Sequence, residues 1–355
     1  MPSPRVSRLS ISKQNNHKAL SIELCSESNI KSVMQFIASE WSSSHILAND
    51  LPMLTWQYGA KSGGYNWVLG LDNDLIKGLL GFIPLSKFDE ELDDEFIWLA
   101  LWKVIEGADT RGLGLRLLRV ILSDMPASGY GVLGINQDHL SLYKSLGFTV
   151  GALNQFFMIN THVRQKLIHN PCNLSLPSPC NGEAVFKLAS RDILENLVLS
   201  DDLSIPSKSP RYFASRFDAH PIYKYEVYII QHNGLDRAVI ATRVAEHCGS
   251  KALRIVDFYG CNSVLSECGN ALQALMELHN CEFCDFWQYG IAEESLNKCG
   301  FFDALLYKVS VPNYFEPFVQ DTRPIFFAIK SSQDGPFRIF RADGDQDRPN
   351  VRGAN

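Results

Sequence analysis

The sequence predicts an α/β protein built as two related units, and three observations lead there. Strand-like and helix-like patterns alternate along both halves of the chain. Short segments recur between the halves. GLGLRLL at residues 112–118 is echoed by GNALQAL at 269–275, and SLYKSLGF at 141–148 by SLNKCGFF at 295–302. The distance from the first glycine to the Gly-Phe pair is 35 residues in one copy and 31 in the other, as expected of a duplication whose second copy has drifted. Between the copies, Pro171, Pro177 and Pro179 stand among Asn and Ser residues without sustained periodicity, which marks a linker. The expected organisation is a loose leader at 1–18, a first unit at 19–160, a linker at 161–183, a second unit at 184–310 and a C-terminal extension at 311–355 that ends in an acidic tail. A chain of 355 residues is long enough for two such domains.

Each element has a local reason. Residues 19–25 read as a short strand. Residues 30–41 carry apolar side chains at helical spacing, with Ser28 and Asn29 available as N-caps, and Leu51–Tyr58 reads as a second helix. Residues 65–71 and 75–84 are strands joined by Asp72-Asn73-Asp74, hence a hairpin. Residues 95–105 form a long apolar strand whose alternation puts Trp98, Ala100 and Trp102 on one face. A loop at 106–111 leads into a helix at 112–124 that stops ahead of Pro126. Residues 131–135 are a buried strand, 138–146 a short helix and 148–160 a closing strand or hairpin. The second half repeats this order: strands at 225–230 and 236–244 across His232-Asn233-Gly234, a strand at 253–259, a helix at 269–279, a strand at 283–289 and a short helix at 293–298. Residues 327–340 alternate like a further hairpin.

The strongest chemical signal is the order strand, loop, Gly-x-Gly, helix, then strand, Asn, short helix, Tyr, Gly-Phe. Glycines at a helix start let a ligand come close to the backbone. The unpaired N–H groups and the helix dipole there favour a phosphate. Arg111, Arg116 and Arg119 add positive charge to a chain whose net charge is −6. The same glycines would also serve close packing of helix on sheet. A dinucleotide fingerprint fails for want of a third glycine, and a P-loop for want of Gly-Lys-Ser/Thr.

The two segments together resemble the GNAT superfamily of acyl-CoA N-acyltransferases. The family's pyrophosphate loop, Gln/Arg-x-x-Gly-x-Gly/Ala ahead of an apolar helix, is matched by Gly112, Leu113, Gly114 and Leu117-Leu118. Asp109 stands at the leading position, with Arg111 close by. The family's Asn-x-x-Ala-x-x-Leu-Tyr-x-x-Leu-Gly-Phe is matched by Asn136, Leu142, Tyr143, Leu146, Gly147 and Phe148, with His139 in place of the alanine. The resemblance covers residues 19–160 well and 184–310 weakly. It implies two GNAT-like domains, each a mixed, mostly antiparallel sheet flanked by helices, whose central strands splay apart to hold pantetheine like an added strand. It further implies acetyl-CoA or another acyl-CoA on Trp102, Lys103 and Val104, with its pyrophosphate on Arg111, Gly112, Leu113, Gly114 and Leu115 and a contact from Asn136. The reaction is then direct acyl transfer to an amine, with strand N–H groups at the oxyanion and Tyr143 protonating the leaving thiolate. Glu95, His45, Asp50 and a water relay stand as alternatives for the general base. Trp56 and Tyr58 are expected along the acceptor pocket. In the second copy Asn297 replaces the tyrosine and Gly290 the asparagine, so that copy is expected to be non-catalytic.

The acidic tail allows two readings, a solvated extension or a docked segment in which Asp343, Asp345, Asp347 and Arg348 bind the acceptor. Two-copy proteins with such a tail resemble those of surface-polysaccharide biosynthesis, which implies a small-molecule acceptor, an amino sugar or sugar nucleotide. The contrasting reading is a non-catalytic acyl-CoA-binding scaffold. An acidic balance disfavours a nucleic-acid partner. No run approaches the ~20 apolar residues of a membrane helix. Nine irregularly spaced cysteines and the absence of a secretory signal point to reduced thiols in the cytoplasm. Cys281-x-x-Cys284 lacks a second pair at zinc-finger spacing, and the tail lacks the order of a calcium loop, so no metal is expected.

Overall fold

The computed structural model describes residues 20–92, 94–168, 182–199 and 203–351. The leader, most of the linker and the last four residues lie outside these. Two sheets dominate. The first half of the chain contributes β1 (Ser21–Cys25), β2 (Tyr65–Asp72), β3 (Leu75–Pro84), β4 (Phe96–Val104), β5 (Gly129–Ile135), β6 (Thr149–Ala152) and β7 (Asn154–Ile159). The second contributes β8 (Val185–Leu188), β9 (Glu226–His232), β10 (Leu235–His247), β11 (Ser250–Gly260), β12 (Phe283–Tyr289) and β13 (Phe302–Asp303), followed by β14 (Tyr314–Phe315), β15 (Phe318–Val319), β16 (Phe326–Ser331) and β17 (Ile339–Phe340). The helices are α1 (Ile30–Glu40), α2 (Ile46–Asn49), α3 (Leu51–Tyr58), α4 (Leu113–Asp124), α5 (Leu140–Ser145), α6 (Arg191–Asn196), α7 (Pro210–Asp218), α8 (Gly269–Leu278) and α9 (Glu293–Cys299).

The two sheets have the same plan. The first runs β1-β2-β3-β4-β5-β16-β6, and the second β13-β7-β12-β11-β10-β9-β8. In each, one pair of central strands is parallel, β4 with β5 and β11 with β12, and the other pairs are antiparallel. The hairpins turn where the sequence predicts. Asn73 and the Asn233-Gly234 pair take positive φ, the conformation that two-residue hairpin turns require.

The sheets exchange strands, which corrects two expectations. Residues 148–160 are neither one strand nor a hairpin. After β6 the chain crosses to the other sheet, where β7 pairs with β12 and β13. Nor do residues 327–340 form a hairpin: β16 lies between β5 and β6 of the first sheet, and β17 pairs with β12 of the second. The boundary drawn at 160 therefore leaves β7, a strand of the second sheet, on the side of the first unit. The reason is that β7 and β16 are apolar on both faces, and each is the complement of a vacancy in the other unit. Phe156 and Phe157 of β7, and Phe327, Ala328 and Ile329 of β16, are fully buried. Local alternation cannot say which sheet such a strand joins.

One large core spans the space between the units. It joins α1 to α3, the facing sides of both sheets, and Tyr212, Phe213 and Phe217 of α7. Separate cores lie under α4 and α5, where Leu113, Leu117, Leu118 and Ile121 form a helical stripe, and under α8 and α9. Cys281 and Cys284 are buried thiols, the latter within β12.

Strand exchange makes the halves interdependent. Residues 1–168 expressed alone lack β16 and should give a poorly dispersed amide spectrum, with dispersion restored by co-expressing residues 169–355. A well-dispersed spectrum from the isolated half would contradict the exchange.

Candidate functional site

The site begins with a fault in β4. Leu80 pairs with Trp102 and Gly81 with Ala100, so Leu101 has no partner on β3 and takes φ 47°. Such a bulge inserts one residue and reverses the alternation beyond it. Trp98 and Ala100 consequently face the core between the units, whereas Trp102 packs against the α4 core. The shared face expected of all three is thus corrected, because the inserted residue leaves no mark in the apolar pattern.

Beyond the bulge, β4 and β5 part. Their parallel pairing runs from Phe96–Gly129 to Leu99–Val132 and ends there. On β5, Gly134 takes φ 79° at an irregularity against β16. A cavity of about 1120 Å³ opens between residues 100–104 of β4 and 133–135 of β5. Ile105 N–H donates to Lys77 O at 2.9 Å, so Ile105 is turned toward β3. By alternation Lys103 is too, while the backbone groups of Trp102 and Val104 face the opening. Of the three β4 residues expected to bind a ligand through the backbone, Lys103 lines the cavity with its main chain turned away.

The loop before α4 closes one end. Thr110 Oγ1 donates to Ile105 O at 2.6 Å and to Gly107 O at 3.1 Å, and Leu113 N–H to Thr110 O at 2.9 Å. The two glycines have different reasons. Gly112 takes φ 77° as the N-cap of α4, with open space where a Cβ would stand. At Gly114 a Cβ would lie 3.1 Å from the Trp102 ring. The N–H groups of Arg111, Gly112, Gly114 and Leu115 donate to no described residue, so four donors stand at the positive end of a twelve-residue helix. Arg111 and Arg119 are exposed, whereas Arg116 donates to Leu20 O at 3.0 Å.

Tyr143, on α5, forms part of the cavity wall. Its ring packs edge-on against Trp102 and Phe148, with centroids 6.3 and 5.5 Å away. Its hydroxyl has no hydrogen-bond partner among the described residues, and burial holds its pKa above the usual range, so it carries its proton at neutral pH. Asn136 lines the cavity too, its Oδ1 accepting from Asp138 N–H at 3.2 Å.

The opposite wall comes from the C-terminal extension, through Tyr314, Arg323, Asp345, Gln346, Arg348 and Asn350. Tyr314, Arg323, Gln346 and Asn350 have no helical or strand periodicity to announce them. Gly134 admits this segment, since a Cβ there would lie 2.1 Å from Gln346 Oε1. Asp345 Oδ2 accepts from Tyr58 Oη at 3.4 Å and from Arg348 Nε at 3.3 Å. The Tyr58 ring in turn lies beside Ala100 O, both meeting the space where a Cβ of Gly81 would be. Asp345 therefore approaches the bulge of β4 across a single tyrosine.

Other expected site residues lie elsewhere. Glu95 precedes β4 at the end remote from the bulge. It accepts from Ser86 N–H at 3.2 Å and from the Ser86 hydroxyl, and is absent from the cavity wall. Trp56 packs against Phe88 and His220. Asp50 caps α3 by accepting from Met53 N–H at 2.9 Å. His45 caps α2, its Nδ1 accepting from Leu47 N–H at 3.2 Å. Burial, aided by the Arg348 charge, pulls its pKa down to about 3, so it is too weak a base to take a proton at neutral pH. Asp343 and Asp347 are buried in ion pairs with the second unit.

No protein-family model matches the chain, and no curated protein matches it. Solved structures do. A GCN5-related N-acetyltransferase from Kribbella flavida superposes with a TM-score of 0.50 at 11% identity, covering 88% of this chain and 71% of its own. A conserved protein from Enterococcus faecalis V583, named as a probable N-acyltransferase, gives 0.50 at 9% identity, covering 88% and 73%. The fold is that of the GCN5-related N-acetyltransferases. Its mixed, splayed sheet occurs twice here, once in each unit. No helix among the described residues is long and apolar enough to cross a membrane.

Two buried histidines make stability depend on pH. His220 Nδ1 accepts from Ile222 N–H at 3.1 Å and Tyr223 N–H at 2.8 Å, and burial lowers its pKa to about 3, as for His45. An unfolded histidine titrates near 6.5. Between these values the unfolded chain binds protons that the folded chain refuses, so stability is full above pH 6.5 and falls on acidification. At pH 5 the loss should be roughly 2 kcal/mol for each histidine. The melting temperature should drop steadily from pH 7 to 5, and His220→Gln should flatten the slope. A pH-independent melting temperature would contradict both placements.

Proposed function

We propose that the chain transfers an acyl group, acetyl in the first instance, from acyl-CoA directly to an amine in the first unit. The observation that supports this best is the cavity. At one end it offers the free N–H groups of Gly112, Gly114 and Leu115 at a helix N-terminus, and along its length the unpaired edge of β4. The first suits a pyrophosphate and the second an extended amide chain, which is the chemistry of coenzyme A. Trp102 and Val104 offer the edge groups, and Gly114 lets the phosphate end approach beside Trp102.

In this reading the thioester lies near the bulge at Leu101, where the strand N–H groups stabilise the oxyanion. Tyr143 gives its proton to the departing thiolate, which its buried, protonated hydroxyl is suited to do. The acceptor enters between the bulge and the C-terminal wall. Asp345 attracts an ammonium group and, through Tyr58 or water, takes the proton whose loss frees the nitrogen lone pair; the second nitrogen proton leaves to solvent after attack, and solvent returns a proton to Tyr143. Asp345 takes the role expected of Glu95 or His45, which are absent from the cavity wall, the His45 Nδ1 being occupied by Leu47 N–H. Asp345, Gln346, Arg348, Asn350 and Tyr314 form a polar wall suited to a hydroxylated amine, and an amino sugar or its nucleotide remains the acceptor class of choice. A cytoplasmic location, which supplies acyl-CoA, fits this reading.

Free coenzyme A release from acetyl-CoA across a panel of amines and amino sugars tests the activity. Tyr143→Phe should lower kcat by roughly 10²-fold with acetyl-CoA affinity unchanged. Full turnover in that variant, with chemistry rate-limiting, would remove Tyr143 from the mechanism.

A further inference from the structure

The second unit has the same splay between its parallel strands, and there it is full. β11 and β12 pair from Ala252–Phe283 to Ile255–Phe286 and then separate. Into the gap comes β17. Phe340 pairs with Gln288 and Ile339 with Tyr289, while Ala342 N–H donates to Val256 O at 2.9 Å on the other side. Gly290, at the position where the first copy has Asn136, takes φ 97°, and a Cβ there would lie 2.0 Å from Phe337 O. The chain's own backbone thus runs where an extended ligand would lie.

The segment that follows is clamped on both sides of Asp345. Asp343 meets Lys208 at 2.8 Å, and Lys208 also meets Asp257 at 2.7 Å. Burial opposes the lysine's charge, yet the two carboxylates hold its pKa above the ordinary range. Asp347 receives two bonds from Arg243, at 2.8 and 2.9 Å, one from Arg341 at 3.0 Å and one from Tyr225 at 2.8 Å. Arg216 adds bonds to the Ala342 and Gly344 carbonyls at 2.6 and 2.8 Å. Further on, Asn350 O accepts from Ile46 N–H at 2.8 Å. The alternating aspartates therefore divide their work. The outer two are pinned in the second unit, and the middle one faces the cavity of the first.

We propose that the second unit is a positioning frame for the acceptor wall: its cleft holds residues 337–342 as an added strand, and its clamps on Asp343 and Asp347 set Asp345 and Arg348 against the first cavity. Asp343, Asp347, Lys208 and Arg243 are then positioning residues, and the assignment rests on the acyl-transfer reading of that cavity. A planar guanidinium gripping both carboxylate oxygens fixes direction as well as distance, which a lysine at the same place would not do.

The test compares the full chain with its Arg243→Lys and Asp343→Asn variants. Three quantities are read: acetyl-CoA affinity by calorimetry, acceptor KM and kcat with the best amine of a panel that includes glucosamine, and hydrogen exchange at residues 343–351. The expected result is unchanged acetyl-CoA affinity, acceptor KM raised at least tenfold, and exchange at 343–351 at least tenfold faster while β4 and α4 stay protected. Unaltered exchange at 343–351, or an unaltered acceptor KM in a folded variant, would overturn the frame. Exchange decides the matter even if no amine in the panel reacts. Should Arg243→Lys fail to fold, Asp343→Asn carries the same test. Failure of the intact chain to bind acetyl-CoA would instead overturn the acyl-transfer reading, so the two failures are distinct.

Discussion

The exchange of β7 and β16 is the constraint on which the rest of the structure depends. Each sheet would be interrupted between its fifth strand and its edge without a strand from the other half. Because β16 reaches back into the first sheet, the chain after it must return to the second unit, and residues 337–351 run across both. β17 fills the second splay, and the segment after it covers the first. One crossing thus closes one cleft and walls the other. The buried polar network along the path has the same logic. Arg254 with Asp285, Arg243 and Arg341 with Asp347, and Lys208 with Asp257 and Asp343 are all desolvated. Such pairs are a weak source of net stability but a strong selector of one arrangement, since losing either partner strands a charge.

The two splays show how little separates a binding cleft from a packed strand. Both arise where parallel strands diverge. Both carry a one-residue bulge on the central strand, at Leu101 of β4 and at Val256 of β11, and in the first the opening stays free. In the second, the backbone of residues 337–342 supplies the hydrogen bonds an extended ligand would supply. The glycines mark the difference. Gly114 makes room for a close approach beside Trp102, whereas Gly290 makes room for Phe337 O.

Much of this was legible in the sequence, and the rest was hidden for physical reasons. The hairpins, α3, α4 and the repeated Gly-Phe segments follow from alternation, spacing and turn residues, which are local. The exchange was hidden because a strand buried on both faces, such as FFAIKS, reads alike in either sheet. The bulge at Leu101 was hidden because leucine gives no sign of positive φ. At the site, the loop glycines, Trp102, Asn136 and Tyr143, which the resemblance grouped together, line one cavity. Among the acidic residues spacing alone could not choose. Asp345 faces the cavity and its neighbours Asp343 and Asp347 do not, a distinction made by partners more than a hundred residues away, such as Lys208 and Arg243.

The central proposal is that the first cleft takes acyl-CoA, whereas the second is filled by the chain's own backbone. The number of acetyl-CoA molecules bound per chain tests it most directly. Calorimetric titration of the intact chain should give a stoichiometry of one, with spectral changes at β4, β5, the start of α4 and α5 and none at β11 and β12. Two equivalents bound, with changes at β11 and β12 as well, would show that β17 yields its place to ligand and would contradict the account.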